Sequence, residues 1–296
     1  MGNRLDRGGG MIKQYQEGMQ ITEPCYVANM PADVYHAHDS ISNTGLKLMM
    51  RSPDHFKNGE EKDKSTRFKV TGSALHMACL EPDIFYDTYT LLRSSENRMS
   101  SEYKTAKKEY GEEFVLVKPE IEKIEGMAKS LSKSKIYDCI DNYNCDKELS
   151  GFAIDPETGL MCRHRFDAII DGIAIDLKTT TDARKPAFEK KILNFGYHIQ
   201  AAFYAEQYKW ITGEEIEKFI FAAIETSAPY AVKIYELDQE SIEAGRKKYR
   251  QALNEYAQCK ATDTWPSYEQ EIETIGIPQW ALEKDAVDDF IFTDED

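Results

Sequence analysis

The sequence reads as one α/β domain with a central mixed β-sheet flanked by helices. Three observations predict this class. Apolar patterns of helical period and short β-rich runs follow one another in the order α-rich, β-β-β, α-α, β-β, α. Asp171-Gly172 stands between two alternating apolar runs, the strongest short-range signal for a two-residue hairpin turn. And 296 residues with 41% apolar content can bury a sizeable core.

The elements follow in order. Residues 1–29 read as a leader, poorly ordered or peripheral, with an extension upstream of Met11. Residues 11–39 carry few clear signals. Ser40 to Lys57 reads as a helix capped by Ser42 or Asn43, with a break or a new first turn at Ser52-Pro53. Thr71 to Glu81 is a short helix of small and apolar residues, ended by Pro82, with Gly72, Ser73, Ala74 and Ala78 allowing close approach to a neighbouring backbone. Lys104 to Glu112 suits an exposed helix. Pro119 to Ile140, with Ile121, Ile124, Met127, Leu131 and Ile136 near helical spacing, reads as one long amphipathic helix. A strand at about Lys147 to Ile154 precedes the central hairpin. Helices over 185–194 and 197–210, a hairpin over 218–236 and a long helix over 238–259 complete a domain spanning 30–262. Residues 263–296 form an acidic C-terminal segment, read as docked loop or disorder.

Charge narrows the function classes. The net charge is −15, but the segment from Asp263 onward carries eleven acidic residues against Lys284 alone, leaving only −5 on the other 262 residues. Basic clusters persist there at Lys104/Lys107/Lys108, Arg163/Arg165, Arg184/Lys185 and Lys190/Lys191. This excludes a non-specific DNA coat yet leaves room for a local basic channel. No run of 18 apolar residues exists, so no membrane role is expected. The six cysteines are scattered without a Cys-x-x-Cys pair, which fits a reducing cytoplasm and neither a zinc ribbon nor a disulfide framework.

The hairpin carries the chemistry. If Ile170 pairs with Ile173, Asp167 falls opposite Asp176 and Arg165 opposite Lys178. Strict alternation then puts all four on one face. Two facing carboxylates repel unless a cation lies between them, and a hard divalent ion, Mg²⁺ or as a substitute Mn²⁺, suits oxygen ligands. Asp167, Asp176 and Lys178 are the candidate catalytic residues, with the Leu177 backbone carbonyl a further metal ligand. The plain alternative is a solvated salt-bridge cluster.

The pattern Asp167-x(8)-Asp176-x-Lys178, preceded by Arg163-x-Arg165 and followed by Thr179-Thr180, resembles the PD-(D/E)xK nuclease superfamily. Within it the likeness is to exodeoxyribonuclease VIII and related phage recombination exonucleases. Gly72-Ser-Ala-Leu-His76 resembles the helix that gives those enzymes a metal-binding histidine. Tyr197-His-Ile-Gln200 with Tyr204 resembles their Gln-x-x-x-Tyr helix along the DNA path. Tyr35-His36 through Phe56 and Trp265-Pro-x-Tyr268 resemble their terminal segments, and Phe166 stands where they have proline. The resemblance implies a restriction-endonuclease-like core, His76 as third metal ligand, and DNA-binding roles for Gln200 and Tyr204. Arg163 and Arg165 either bind phosphate or balance charge, and Glu148 is a lesser candidate carboxylate. It further implies a Mg²⁺-dependent exodeoxyribonuclease acting 5′→3′ on linear double-stranded DNA ends in a bacterial or phage-infected cytoplasm. A homo-oligomeric ring and a single-strand annealing recombinase are the expected partners. A structure-specific endonuclease on the same fold, or a non-catalytic DNA-binding recombination scaffold, are the rivals.

Overall fold

A computed structural model describes residues 12–59, 67–142 and 144–277. The chain runs β1 (Ile12–Gln14), β2 (Cys25–Ala28), α1 (Ala32–Ala37), α2 (Asn43–Arg51), α3 (Pro53–Asn58), α4 (Arg67–Leu80), α5 (Pro82–Thr88), β3 (Thr90–Leu92), α6 (Ser101–Tyr110), β4 (Val115–Val117), α7 (Lys118–Leu131) and α8 (Lys135–Ile140). It continues through β5 (Asp146–Ile154), β6 (Met161–Ile170), β7 (Ile173–Thr180), α9 (Lys185–Phe195), α10 (Tyr197–Thr212), β8 (Lys218–Glu225), β9 (Val232–Glu236) and α11 (Gln239–Thr262). Seven strands form one mixed sheet in the order β1-β2-β5-β6-β7-β8-β9, and β3 and β4 form a small parallel pair apart from it. The pairs β1–β2 and β7–β8 are parallel and the rest of the large sheet is antiparallel.

Helices cover both faces of the sheet, as the predicted class requires. On one face α2, α9, α10 and α11 bury Leu46, Met49, Phe188, Phe203 and Tyr249 against Phe166, Phe219 and Phe221. On the other, α4, α5, α7 and α8 bury Leu75, Phe85, Ile124 and Met127 against Ala168, Ile175, Leu177 and Ile224. Burial of these apolar side chains is the dominant favourable term in folding. α11 lies close on α10 because Gly245 has no Cβ; one there would meet the His198 carbonyl oxygen at 2.1 Å.

The central hairpin has the expected register: Ala168, Ile169 and Ile170 pair with Ile175, Ala174 and Ile173. Asp171 and Gly172 both take positive φ, 45° and 75°, as a two-residue turn that matches strand twist demands. Ser42 caps α2 by accepting from Gly45 N, and Ser52 caps α3 ahead of Pro53, which is the break foreseen there.

Other expectations change. Residues 12–28 are not a peripheral leader: β2 pairs with β5 inside the sheet, and Tyr26 and Val27 are buried. Strands of three or four residues are too short to show an alternation of their own. α4 ends at Leu80, just before Pro82 as expected, but it starts at Arg67 rather than Thr71, and Pro82 opens a further helix, α5, where the missing N–H of proline costs nothing. The long helix over 119–140 is two, α7 and α8, because the backbone at Ser134 between them is extended, with φ −87° and ψ 147°. The C-terminal segment docks at its start: Asp54 N donates to Pro266 O, and the Trp265 ring stacks on Phe56 at 5.7 Å. The remaining expectations for 278–296 lie outside the described residues, as do those for 1–11.

Candidate active site

The site forms where the sheet's pairing lapses. β6 pairs with β7 only as far as Ala168–Ile175. Its ladder with β5 skips the Glu148–Asp167 position, where Glu148 takes φ 47°, a left-handed conformation rare outside glycine. Side-chain alternation breaks at the same place. Phe166 lies in the core beneath α10, whereas Ala168 lies in the core beneath α4 and α7. Asp167 occupies the break, and its carboxylate enters the space left between β6 and β7. There Asp167 Oδ2 accepts from Leu177 N at 2.7 Å in place of a strand partner.

This break corrects the single-face reading. Arg165 is not opposite Lys178. Its guanidinium donates to Ser150 Oγ and to Met30 O, and lies 4.3 Å from the centre of the Tyr35 ring. Arg163 donates to the carbonyls of His38, Ser40 and His36. Both arginines fasten the start of the chain to β6.

Two clusters flank Leu177. From α4, His76 Nε2 donates to Leu177 O at 2.8 Å, and its Nδ1 stands 3.4 Å from Asp167 Oδ2. Ligand atoms of His76, Glu148 and Asp167 lie within 4.8 Å of one another, the span of a metal-binding group. Glu148 therefore joins the centre, brought there by its backbone twist. Burial, with Asp167 adding to it, pushes the Glu148 carboxyl up to about 7, against the pull of His76 and Arg165.

The second cluster is held by α10. Lys178 Nζ stands 2.6 Å from Asp176 Oδ2 in a buried ion pair. Gln200 Nε2 donates to Asp176 Oδ1 at 2.7 Å, and Lys178 Nζ lies over the Tyr197 ring at 4.8 Å. Burial raises the Asp176 pKa and Asp167 raises it further, with Lys178 opposing. Burial works against the Lys178 ammonium, but Asp176 and Asp167 outweigh it and its pKa is raised. Asp176 and Asp167 still act on one another across the gap, although Asp176 lies outside the tight His76–Glu148–Asp167 group.

One buried and two half-buried carboxylates with one adjacent lysine, a histidine and a backbone carbonyl form a mostly hard donor set with an excess of negative charge. That set suits a divalent cation such as Mg²⁺ or Mn²⁺.

The remaining expected residues sit behind the site. Tyr204 is half-buried, its ring against His164 and Phe166 at 5.3 and 5.8 Å. His164 is fully buried between Tyr26 OH and Gln207 Oε1 at 3.2 and 3.1 Å. Burial pushes its pKa down to about 3, with the Gln207 bond opposing, so the ring is neutral. Gly151 makes the room: a Cβ there would meet the His164 ring at 2.1 Å. A lone glycine in a strand pattern is the signal that marks such a close approach.

Residues 42–276 match the family described as a PDDEXK-like domain of unknown function, DUF3799. The chain belongs to this family. The match takes in every candidate site residue from His76 to Tyr204, and the mixed sheet with helices on both faces is the PD-(D/E)xK fold. Among solved structures, a Eubacterium rectale protein provisionally named an exonuclease superposes with a TM-score of 0.59 at 16% identity, over 90% of this chain and 99% of that one. At that identity the likeness establishes the fold alone. A phage-related exonuclease from Haemophilus somnus 129PT aligns over 77% of this chain and 98% of its own, with 13% identity and a TM-score of 0.31, too low to carry an argument. No curated protein matches the chain.

Proposed function

We propose that this family member is a divalent-metal-dependent exodeoxyribonuclease that hydrolyses linear double-stranded DNA from its ends, with Mg²⁺ as the working ion. The observation that carries the reading is the convergence of His76, Glu148 and Asp167 around the Leu177 carbonyl, beside the Asp176–Lys178 pair. Phosphodiester hydrolysis needs an activated water, in-line geometry and compensation for charge on the transferring phosphoryl group. His76, Glu148, Asp167, Asp176 and the Leu177 carbonyl would hold the ion, which supplies Lewis-acid polarisation of a phosphate oxygen when bound.

The protein's own groups divide the remaining work. Lys178, kept protonated by two carboxylates, suits orienting the attacking water and neutralising developing charge rather than removing a proton. Tyr197 covers the ammonium and limits its hydration. Gln200 fixes the Asp176 carboxylate through one oxygen while the other faces the Lys178 ammonium. The name of the Eubacterium rectale structure supports exonuclease action. The 5′→3′ polarity, a ring-shaped homo-oligomer with an acidic exterior and a partner annealing protein extend the proposal from the sequence resemblance. Among the described residues no helix is long and apolar enough to cross a membrane.

The test compares linear duplex with covalently closed circles in Mg²⁺. The proposal expects loss of the linear form only, abolished by Lys178→Ala or Asp176→Ala in folded protein. Cutting of closed circles would favour the endonuclease reading. Full activity in either variant would remove the site assignment, and absence of Asp167-dependent Mg²⁺ binding in calorimetry would favour a scaffold.

A further inference from the structure

An aromatic stack rises out of the core beside Lys178 and ends in an open ring. At its base Phe221 lies 5.7 Å from Tyr197, with Phe188 at 6.2 Å. Tyr197 in turn stacks with Phe195 at 5.7 Å and 19°. Phe195 is 54% exposed. Tyr197 is the ring beneath the Lys178 ammonium, so the open ring stands next in line to the group expected at the reacting phosphate.

The joint that presents Phe195 is stiff. Gly196 takes φ 63° between α9 and α10, and Lys47 from α2 donates to Phe195 O at 2.6 Å. The Lys47 stem fills the space over Gly196, where a Cβ would meet its Cε at 3.3 Å. Burial, with Lys178 adding to it, lowers the Lys47 pKa to about 8, which places this second cation in the same electrostatic field. A fixed aromatic face flanked by cations is the pattern by which proteins hold single-stranded nucleic acid without reading its sequence. A single exposed apolar side chain has no meaning alone; here the ring is pre-oriented, stacked and adjacent to the site.

We propose that Phe195 is a stacking platform for an unpaired nucleobase of the strand that runs past Lys178. The inference rests on the nuclease reading and deepens it. It means that the strand is engaged with at least one base out of the duplex near the site, whatever that base is.

The experiment uses oligonucleotide duplexes and single strands carrying 2-aminopurine at successive positions from one end, with Ca²⁺ in place of Mg²⁺. With unaltered protein, fluorescence should be quenched at one position. Phe195→Ala should abolish that quenching and weaken binding by about 5- to 150-fold. Phe195→Trp should restore both, and the salt dependence of binding should not change, because no phosphate contact is lost. Leu193→Ser, at a neighbouring residue 67% exposed, should behave as unaltered protein. Position-specific quenching that survives Phe195→Ala, or an equal loss in Leu193→Ser, overturns the platform and leaves the nuclease reading standing. Failure of unaltered protein to bind any of these DNAs overturns both.

Discussion

Replacing Glu148 by glutamine should stabilise the metal-free protein at alkaline pH while weakening its response to Mg²⁺. The carboxyl rises from 4.5 in the unfolded chain to about 7 in the fold, chiefly through burial. A raised acid pKa means that folding favours the protonated form, so this group's penalty is absent well below 4.5, grows through the window from 4.5 to 7 and is complete above it. A shift of that size corresponds to about 3 kcal/mol at pH 8 and less than about 1 kcal/mol at pH 5. Glutamine keeps the shape and removes the charge. The weak 3.9 Å contact with Arg165 is lost, but Arg165 retains Ser150 and Met30. His164 titrates in the opposite sense, so variant and parent must be compared at each pH. Urea unfolding in chelator at pH 5 and pH 8 reads the difference directly. The expected gain for Glu148→Gln is about 2–3 kcal/mol at pH 8, shrinking at pH 5, with a smaller Mg²⁺-induced stabilisation than in the parent. Equal stability of the two proteins at both pH values would refute the account of Glu148 as an acid whose desolvation His76 and Arg165 offset only in part.

Two other perturbations probe the surroundings. Gln200→Ala strips the Asp176 carboxylate of its hydrogen-bond donor, and denaturant unfolding should show a loss of about 1–3 kcal/mol, with cleavage of linear DNA reduced. His164 is neutral in the fold, so its contribution to stability is present above the unfolded value of 6.5 and is lost as pH falls from there towards 3; His164→Gln should flatten the acid limb of a pH–stability curve, and an unchanged limb would show that the ring is not protected from protons.

Some of this molecule is written locally and some is not. The hairpin was legible because Asx-Gly has a conformational reason to sit at a turn with two positive φ values, and the turn sets the register of everything beside it. Asp176, Lys178 and the His76 helix follow from that register or from the family resemblance. The break at Asp167 was not legible. It depends on Glu148 adopting a left-handed conformation, which a glutamate does not advertise and which only the surrounding sheet can enforce. For the same reason Glu148 looked secondary and Arg165 looked like a partner of Lys178. The strands β1 to β4 escaped notice because each is three or four residues long and takes its stability from neighbours remote in sequence. His164 is buried by tertiary contacts with Tyr26 and Gln207 that no local pattern displays.

The interrupted pairing beside β7 also makes one amide proton unusual. Leu177 N–H sits deep in a sheet but is held by a carboxylate, while the carbonyl of the same residue accepts from an imidazole. Its exchange with solvent deuterium should follow what the Asp167 carboxylate binds rather than the cooperative opening of the sheet. A single resonance in an NMR spectrum would then report directly on ion occupancy, without DNA present and without turnover.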